Sequence, residues 1–230
     1  MNRHCVLFLA RKPTEKLQQT VRELKSLYAI DSYIISDTPT DCNCSIHITN
    51  DECMDNNYIY ATHPKFCGFP LSSRDRGLYF SAERSNYDYY WFVEDGIYFK
   101  DTQVLYSMIE KFINLQYDLV ATEYKTPKKD PRWDHWHVGS ELFEKPTAFF
   151  QPLCRVSKKL LQQVSAFVKE YNRLAFHELM LGSLAADNNM SFVEIRDVTP
   201  FVQLRYRPVW TKEEIDKKSN CILHPCKYIL

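Results

Sequence analysis

The sequence predicts an α/β protein with a mixed, mainly parallel central sheet flanked by helices, and three segments near its start indicate this class. Residues 6–10 form an uninterrupted apolar run, as expected for a strand buried on both faces. A helix then extends from a Thr14 cap to about Tyr28, with apolar side chains along one stripe. Residues 32–36 form a second apolar strand. Strand, helix and strand at this spacing are typical of the first unit of a parallel sheet.

The later segments repeat the same two patterns, short apolar or aromatic runs for strands and apolar stripes at helical spacing for helices. Strands are predicted at residues 45–49, 89–94, 118–123, 149–153, 192–195 and 201–204, and helices at residues 74–86, 102–112, 157–169 and 173–187. We find no linker rich in Gly, Pro or Ser. We therefore predict a single domain, residues 1–230, with two halves of about residues 1–100 and 101–230.

Composition excludes several classes of protein. The 29 basic and 29 acidic residues cancel, and no dense run of Lys and Arg is present, so we expect no nucleic-acid partner. No apolar run reaches about 18 residues, so we expect no membrane span and a cytoplasmic protein. The eight cysteines include no Cys-x2-Cys pair, which favours reduced thiols over a zinc knuckle. The five glycines are too dispersed for a P-loop or a dinucleotide-binding fingerprint.

The most informative segment is residues 89–99, in which Tyr-Tyr-Trp-Phe-Val runs directly into Glu94, Asp95 and Gly96. A buried strand that ends in two carboxylates places negative charge at the edge of a sheet. There it can hold a divalent cation or meet a polar substrate. Asp-Gly between apolar runs is also a strong hairpin signal, and a turn and a site are compatible.

Taken in order along the chain, four features resemble the nucleotide-sugar glycosyltransferases of the GT-A kind. They are the opening strand–helix–strand unit, the acidic turn after residues 89–93, a later helix that carries Glu178, and His-Pro-x-Lys at residues 224–227. The resemblance implies a glycosyltransferase that moves a sugar from a nucleotide diphosphate sugar to a glycan or another hydroxyl acceptor. It also implies that the first half of the chain binds the donor and the second half binds the acceptor.

The resemblance implies a Mn²⁺ or Mg²⁺ ion held by Glu94, Asp95 and His224. Such a cation would stabilise the charge that gathers on a departing nucleoside diphosphate. The chain departs from the family at Gly96, where a third carboxylate is expected. This departure leaves open a metal-free transferase or a non-catalytic relative that binds sugar or nucleotide.

Charged residues at strand ends and helix starts are the candidates for the donor's diphosphate. Helix N-termini and arginines both suit phosphate, although such residues are often simply solvated. The predicted donor-binding residues are Arg11, Lys12, Arg74, Arg76 and Lys227.

Glu178 is the candidate general base. It lies early on a helix after an apolar approach, where a partly buried carboxyl group could have a raised pKa and could deprotonate an acceptor hydroxyl. The alternative is a solvent-facing helix glutamate.

The loop at residues 125–138 contains the candidate acceptor platform, because indole faces stack on the C–H groups of sugars. We predict that Trp133, Trp136 and His137 bind the acceptor; packing of the loop onto the core and a metal site at His135 and His137 are alternatives. An unrelated metal-dependent hydrolase that uses Glu94, Asp95 and a histidine is a further, less favoured reading of the chain.

Overall fold

A computed structural model describes residues 2–38, 42–62, 71–218 and 220–226, and Lys227 lies outside these residues. The strands are β1 His4–Ala10, β2 Asp31–Ser36, β3 Tyr89–Glu94, β4 Leu119–Lys125, β5 Ala148–Ser157, β6 Phe192–Glu194, β7 Val202–Leu204 and β8 Ile222–His224. The helices are α1 Glu15–Tyr28, α2 Asn50–Asp55, α3 Ser73–Tyr79, α4 Thr102–Phe112, α5 Lys158–Tyr171, α6 His177–Asp187, α7 Ile195–Val198 and α8 Lys212–Asp216. No helix in the described part of the chain is both long and apolar enough to cross a membrane.

The main sheet has the strand order β2-β1-β3-β5-β4-β6. It confirms the predicted α/β class with a mixed, mainly parallel sheet. Strand β1 pairs in parallel with both β2 and β3, and β6 pairs in parallel with β4, whereas β5 is antiparallel to β3 and β4. In the β1–β3 register Leu9 lies opposite Glu94, and in the β1–β2 register Ala10 lies opposite Ser36. The carboxyl ends of these three strands therefore meet at one edge, where the acidic turn follows β3.

Helices cover both faces of this sheet, which explains why its inner strands read as continuous apolar runs. All seven residues of β1 are buried, and their side chains divide between two cores. Leu7 and Leu9 pack in the core that includes α5 and α6, whereas Val6 and Phe8 pack in the core that includes α1 and α4. Such a two-sided core fixes the positions of the strand ends.

Three details differ from the sequence-based expectations. The predicted strand at residues 45–49 is wrong: Ser45 forms a single bridge to Ile34, and the rest of the segment is irregular. The helix predicted from residue 173 begins at His177. Strand β8 was missed because three residues in a polar tail give no periodic signal; it forms a separate two-stranded sheet with β7.

Gly182 allows α6 to approach β5 closely, and its replacement is expected to destabilise the protein. A Cβ atom at this position would collide with the backbone carbonyl of Thr147, which cannot turn away as a side chain can. We expect Gly182→Ala to lower the free energy of unfolding by about 2–3 kcal/mol, although alanine is the better helix former. Urea denaturation measures this.

The matched control is Gly77→Ala in α3, where the nearest atom to the new Cβ is the Leu9 side-chain carbon Cδ2 at 3.0 Å. The end of a leucine side chain can shift, so this substitution should cost less. Equal losses at Gly77 and Gly182 would contradict the assignment of the Gly182 effect to the backbone contact.

Candidate active site

A cleft of about 480 Å³ opens at the sheet edge where β1 and β3 end. It is lined by the side chains or backbone of Arg11, Lys12, Glu94, Asp95, Gly96 and His224. We call it the acidic cleft. The strand ends supply the first five residues, and His224 comes from the end of β8.

Strand β8 delivers His224 to the acidic turn through backbone pairing. The Tyr98 N–H donates to the Leu223 carbonyl at 2.8 Å, and the Leu223 N–H donates to the Tyr98 carbonyl at 2.9 Å. The Cys226 N–H donates to the Gly96 carbonyl at 3.0 Å. A Cβ atom on Gly96 would lie 3.2 Å from Nε2 of His224, so the imidazole packs directly against the glycine. The histidine thus occupies the space that a third acidic side chain would need.

Glu94 is paired with a buried cation. Nη2 of Arg74 lies 2.7 Å from Oε1 of Glu94 and also donates to the Gln151 carbonyl at 2.8 Å. Only 3% of the Arg74 side chain is exposed, against 36% of Glu94. Burial, the largest single influence, raises the pKa of Glu94, but the charge and hydrogen bond of Arg74 together with His177 and His224 outweigh it, and the pKa lies below its usual value. Glu94 is therefore a fixed, compensated anion.

Asp95 is held by backbone groups. The Arg11 N–H donates to Oδ2 of Asp95 at 3.3 Å, and the Asp95 N–H donates to the Leu9 carbonyl at 2.9 Å. Burial raises the pKa of Asp95 from its ordinary value. Asp95 is exposed and lines the acidic cleft.

The predicted donor-binding residues separate into two groups. Arg11 and Lys12 line the acidic cleft. Arg74, assigned to the diphosphate from the sequence, instead engages Glu94, because the capping box of Ser72 and Asp75 begins α3 and directs Arg74 towards the sheet. Arg76 lies outside the cleft, where it donates to the Ile48 carbonyl at 3.2 Å and to Oδ1 of Asn50 at 2.5 Å.

The predicted Mn²⁺ or Mg²⁺ ion can be tested against this donor set. Within the described ranges, no three His, Cys, Asp or Glu side chains are grouped so that they could hold an ion. Glu94 is already paired with Arg74, and Gly96 supplies no side-chain oxygen. Glu94, Asp95 and His224 line one cleft, but they do not fit a three-ligand ion site.

A second cleft of about 330 Å³ contains Glu178, and its Phe150 ring lies 5.4 Å from the His224 ring of the acidic cleft. We call it the Glu178 cleft; it is also lined by Glu123, Lys125, Trp133, His135 and Tyr206. Burial raises the pKa of Glu178 to about 8, and the negative charge of Glu94 adds to the effect. Glu178 is therefore not a solvent-facing helix residue, and it is coupled electrostatically to the acidic cleft.

The three predicted acceptor residues do not line one cavity. Trp133 lines the Glu178 cleft and packs against His135, with ring centroids 5.2 Å apart. Trp136 packs against Trp133 and donates from Nε1 to the Asp130 carbonyl at 2.8 Å. His137 lines a different cavity, of about 430 Å³. Only Trp133 is placed beside Glu178.

Two buried polar residues between the clefts were missed. Gln151 is fully buried in β5, where its carbonyl accepts from Arg74 and its Nε2 donates to the Glu178 carbonyl at 3.5 Å. His177 is buried, with Nδ1 2.9 Å from the Ala61 carbonyl, and burial lowers its pKa to about 3. Gln151 could have been found as the polar residue inside an apolar strand, whereas His177 gave no such signal.

Solved glycosyltransferase structures share this architecture. The chain superposes on the galactosyltransferase LgtC, solved in complex with donor and acceptor sugar analogues, with a TM-score of 0.50 and 11% sequence identity over 98% of this chain and 87% of that one. The protein has the GT-A fold. A glycosyltransferase involved in glycosylation of the major capsid of PBCV-1 aligns at a TM-score of 0.48 and 11% identity, over 96% and 94% of the two chains. Mouse xyloside xylosyltransferase 1 aligns at 0.44 and 10%, over 97% of each chain.

No protein-family model matches the sequence, and no curated protein sequence is significantly similar to it. At this level of identity the structural likeness establishes the GT-A fold alone. In this GT-A fold the acidic cleft lies at the carboxyl edge of the parallel strands, where open α/β sheets bind their ligands.

Proposed function

We propose that this protein is a glycosyltransferase that moves a sugar from a nucleoside diphosphate sugar to a hydroxyl group of a glycan or another acceptor. The proposal rests on two clefts with complementary chemistry that approach each other where Phe150 packs against His224. The acidic cleft has cationic side chains at its mouth, and the Glu178 cleft contains a carboxyl group whose pKa is raised to about 8.

The acidic cleft is the proposed donor site, formed largely by the first half of the chain. Arg11 and Lys12 face the position of the diphosphate and balance the charge that develops as it departs. His224 closes the opposite side of the cleft. Glu94, Asp95 and His224 do not fit a three-ligand site for the predicted Mn²⁺ or Mg²⁺ ion, so no step of the proposal depends on it.

The Glu178 cleft is the proposed acceptor site, formed by the second half of the chain. The indole of Trp133 offers a flat apolar face to a sugar ring. The Glu178 carboxylate takes the proton of the acceptor hydroxyl as that oxygen attacks the anomeric carbon. The bond to the nucleoside diphosphate breaks, and the electron pair leaves with the diphosphate. In-line attack of this kind inverts the anomeric configuration.

One observation favours a second candidate, a non-catalytic protein that binds a nucleotide or a sugar. Gly96 has no carboxylate, and His224 fills the space beside it. A hydrolase that depends on a metal is less favoured, because the described part of the chain contains no three-residue group of metal ligands.

A thermal-shift panel of nucleoside diphosphates and nucleotide sugars, with and without Mn²⁺, tests the proposal. A ligand at about 100 times its Kd stabilises the folded state by about 2.7 kcal/mol, which corresponds to a rise in Tm of about 5–10 °C for a chain of this size. We expect such a shift for the diphosphate and sugar nucleotide of one base. Product analysis with candidate acceptors should then show sugar transfer.

Lys25→Gln is the control variant, because Lys25 lies at the opposite end of α1 from the cleft. Its Tm should rise with the ligand as much as the Tm of the unmodified protein. Tight binding without turnover on any acceptor would favour the non-catalytic candidate. The absence of a shift with every nucleotide would reject the donor site.

A further inference from the structure

The acidic cleft has little capacity left for a divalent cation. The Glu94 carboxylate is compensated by the buried Arg74 guanidinium at 2.7 Å. The position of the third acid is Gly96, which has no carboxylate, and a Cβ atom there would lie only 3.2 Å from the His224 imidazole. Of the three positions of the acidic turn, only Asp95 has a carboxylate that is not ion-paired among the described residues.

The same cleft presents two exposed cationic side chains. Arg11 and Lys12 both line it, and neither forms a salt bridge among the described residues. Arg74 is paired with Glu94, and the other acids near these two cations are Asp95 and Asp37, which line a neighbouring cavity together with Arg11. A diphosphate entering the cleft therefore meets two exposed cations without a metal ion.

We infer, on the basis of the proposed function, that the acidic cleft binds the diphosphate of its donor without a divalent cation, through Arg11 and Lys12. The guanidinium of Arg11 suits two phosphate oxygens at once, and the ammonium of Lys12 acts as a point charge. The rival arrangement is an ion held by one carboxylate and the phosphate oxygens, as is usual for Mg²⁺, and here that carboxylate would be Asp95.

The two arrangements predict opposite effects of Asp95→Asn on the affinity for the diphosphate. With a bridging ion, loss of the carboxylate removes the ion's protein ligand and weakens binding. Without an ion, loss of a negative charge beside the diphosphate strengthens binding. The substitution retains the size of the side chain and an oxygen that can accept from the Arg11 N–H, so the turn should fold as before.

Isothermal titration calorimetry with UDP, GDP, ADP and CDP, each in EDTA and in Mn²⁺, tests the inference. For the nucleotide that binds, we expect the Kd in EDTA to lie within about threefold of the Kd in Mn²⁺. Arg11→Gln and Lys12→Gln should each raise the Kd about tenfold in EDTA, and Asp95→Asn should lower it about two- to fivefold. Lys25→Gln is the control for loss of a positive charge elsewhere.

Binding in Mn²⁺ that is lost both in EDTA and in Asp95→Asn would overturn the inference while retaining the proposed function. Failure of all four nucleotides to bind in either condition would reject the proposed donor site, and the inference with it. Thermal unfolding of each variant without ligand separates an effect on affinity from an effect on folding.

Discussion

Glu178→Gln is expected to lower the rate of sugar transfer by about 100- to 10,000-fold, the usual contribution of a general base. Glutamine has the same shape but cannot take the proton of the acceptor hydroxyl. Initial rates with the responding donor and acceptor measure the loss. Glu170→Gln on the exposed face of α5 is the control and should leave the rate unchanged.

The pH dependence gives a second readout. Because the pKa of Glu178 is raised to about 8, the carboxylate form, and with it the rate, should increase as the pH rises towards that value. The effect on stability has the opposite direction. The folded state holds the Glu178 proton more tightly than the unfolded state does, so stability present below pH 4.5 is lost as the pH rises through about 8.

Glu178→Gln should therefore gain stability relative to the unmodified protein between pH 5 and pH 8.5, roughly the window set by the two pKa values. Urea denaturation at the two pH values measures the difference. An unchanged difference across this window, together with an unchanged rate, would show that Glu178 is an ordinary helix residue.

Arg74→Ala is expected to lower the free energy of unfolding by about 3–5 kcal/mol. The substitution removes a guanidinium that is 3% exposed and leaves the Glu94 carboxylate without its partner. It also removes the donor to the Gln151 carbonyl. Urea denaturation with a two-state fit measures the loss.

Arg84→Ala is the matched control, because Arg84 pairs with Glu52 at 2.8 Å while both side chains are more than a third exposed. A surface pair of this kind contributes about 1 kcal/mol or less. Addition of Glu94→Gln to Arg74→Ala should recover part of the loss, since the unpaired charge is then gone. Equal costs at Arg74 and Arg84 would contradict the assignment of the larger loss to burial of the Arg74 guanidinium.

The parallel part of the fold could be predicted because strands buried on both faces have a simple signature. The runs that became β1 and β3 are apolar at every inner position, and the helix between β1 and β2 has both a cap at Thr14 and an apolar stripe. The segment at 45–49 shows the limit of this reasoning. It is apolar enough for a strand, but it pairs with the edge of β2 only at Ser45.

The site was predicted in part, for an electrostatic reason. Charge at the ends of β1 and β3 can be read from the sequence, because strand ends in a parallel sheet share an edge. Whether a cation there faces solvent or another side chain cannot be read from the sequence. For this reason Arg74 was assigned to the diphosphate, whereas in the structure it is buried against Glu94. Likewise, Gly96 reads as a missing acid, whereas in the structure it makes room for His224.

Pairing of β8 with the segment after the acidic turn has a consequence for biosynthesis. Residues 222–226, which form one wall of the cleft, are translated after all six strands of the main sheet. The main sheet can therefore assemble on the ribosome before the cleft exists. The cleft is complete only when residues 222–226 dock beside Gly96, so a chain that stopped before residue 222 would keep the strands of the main sheet and lack one wall of the cleft.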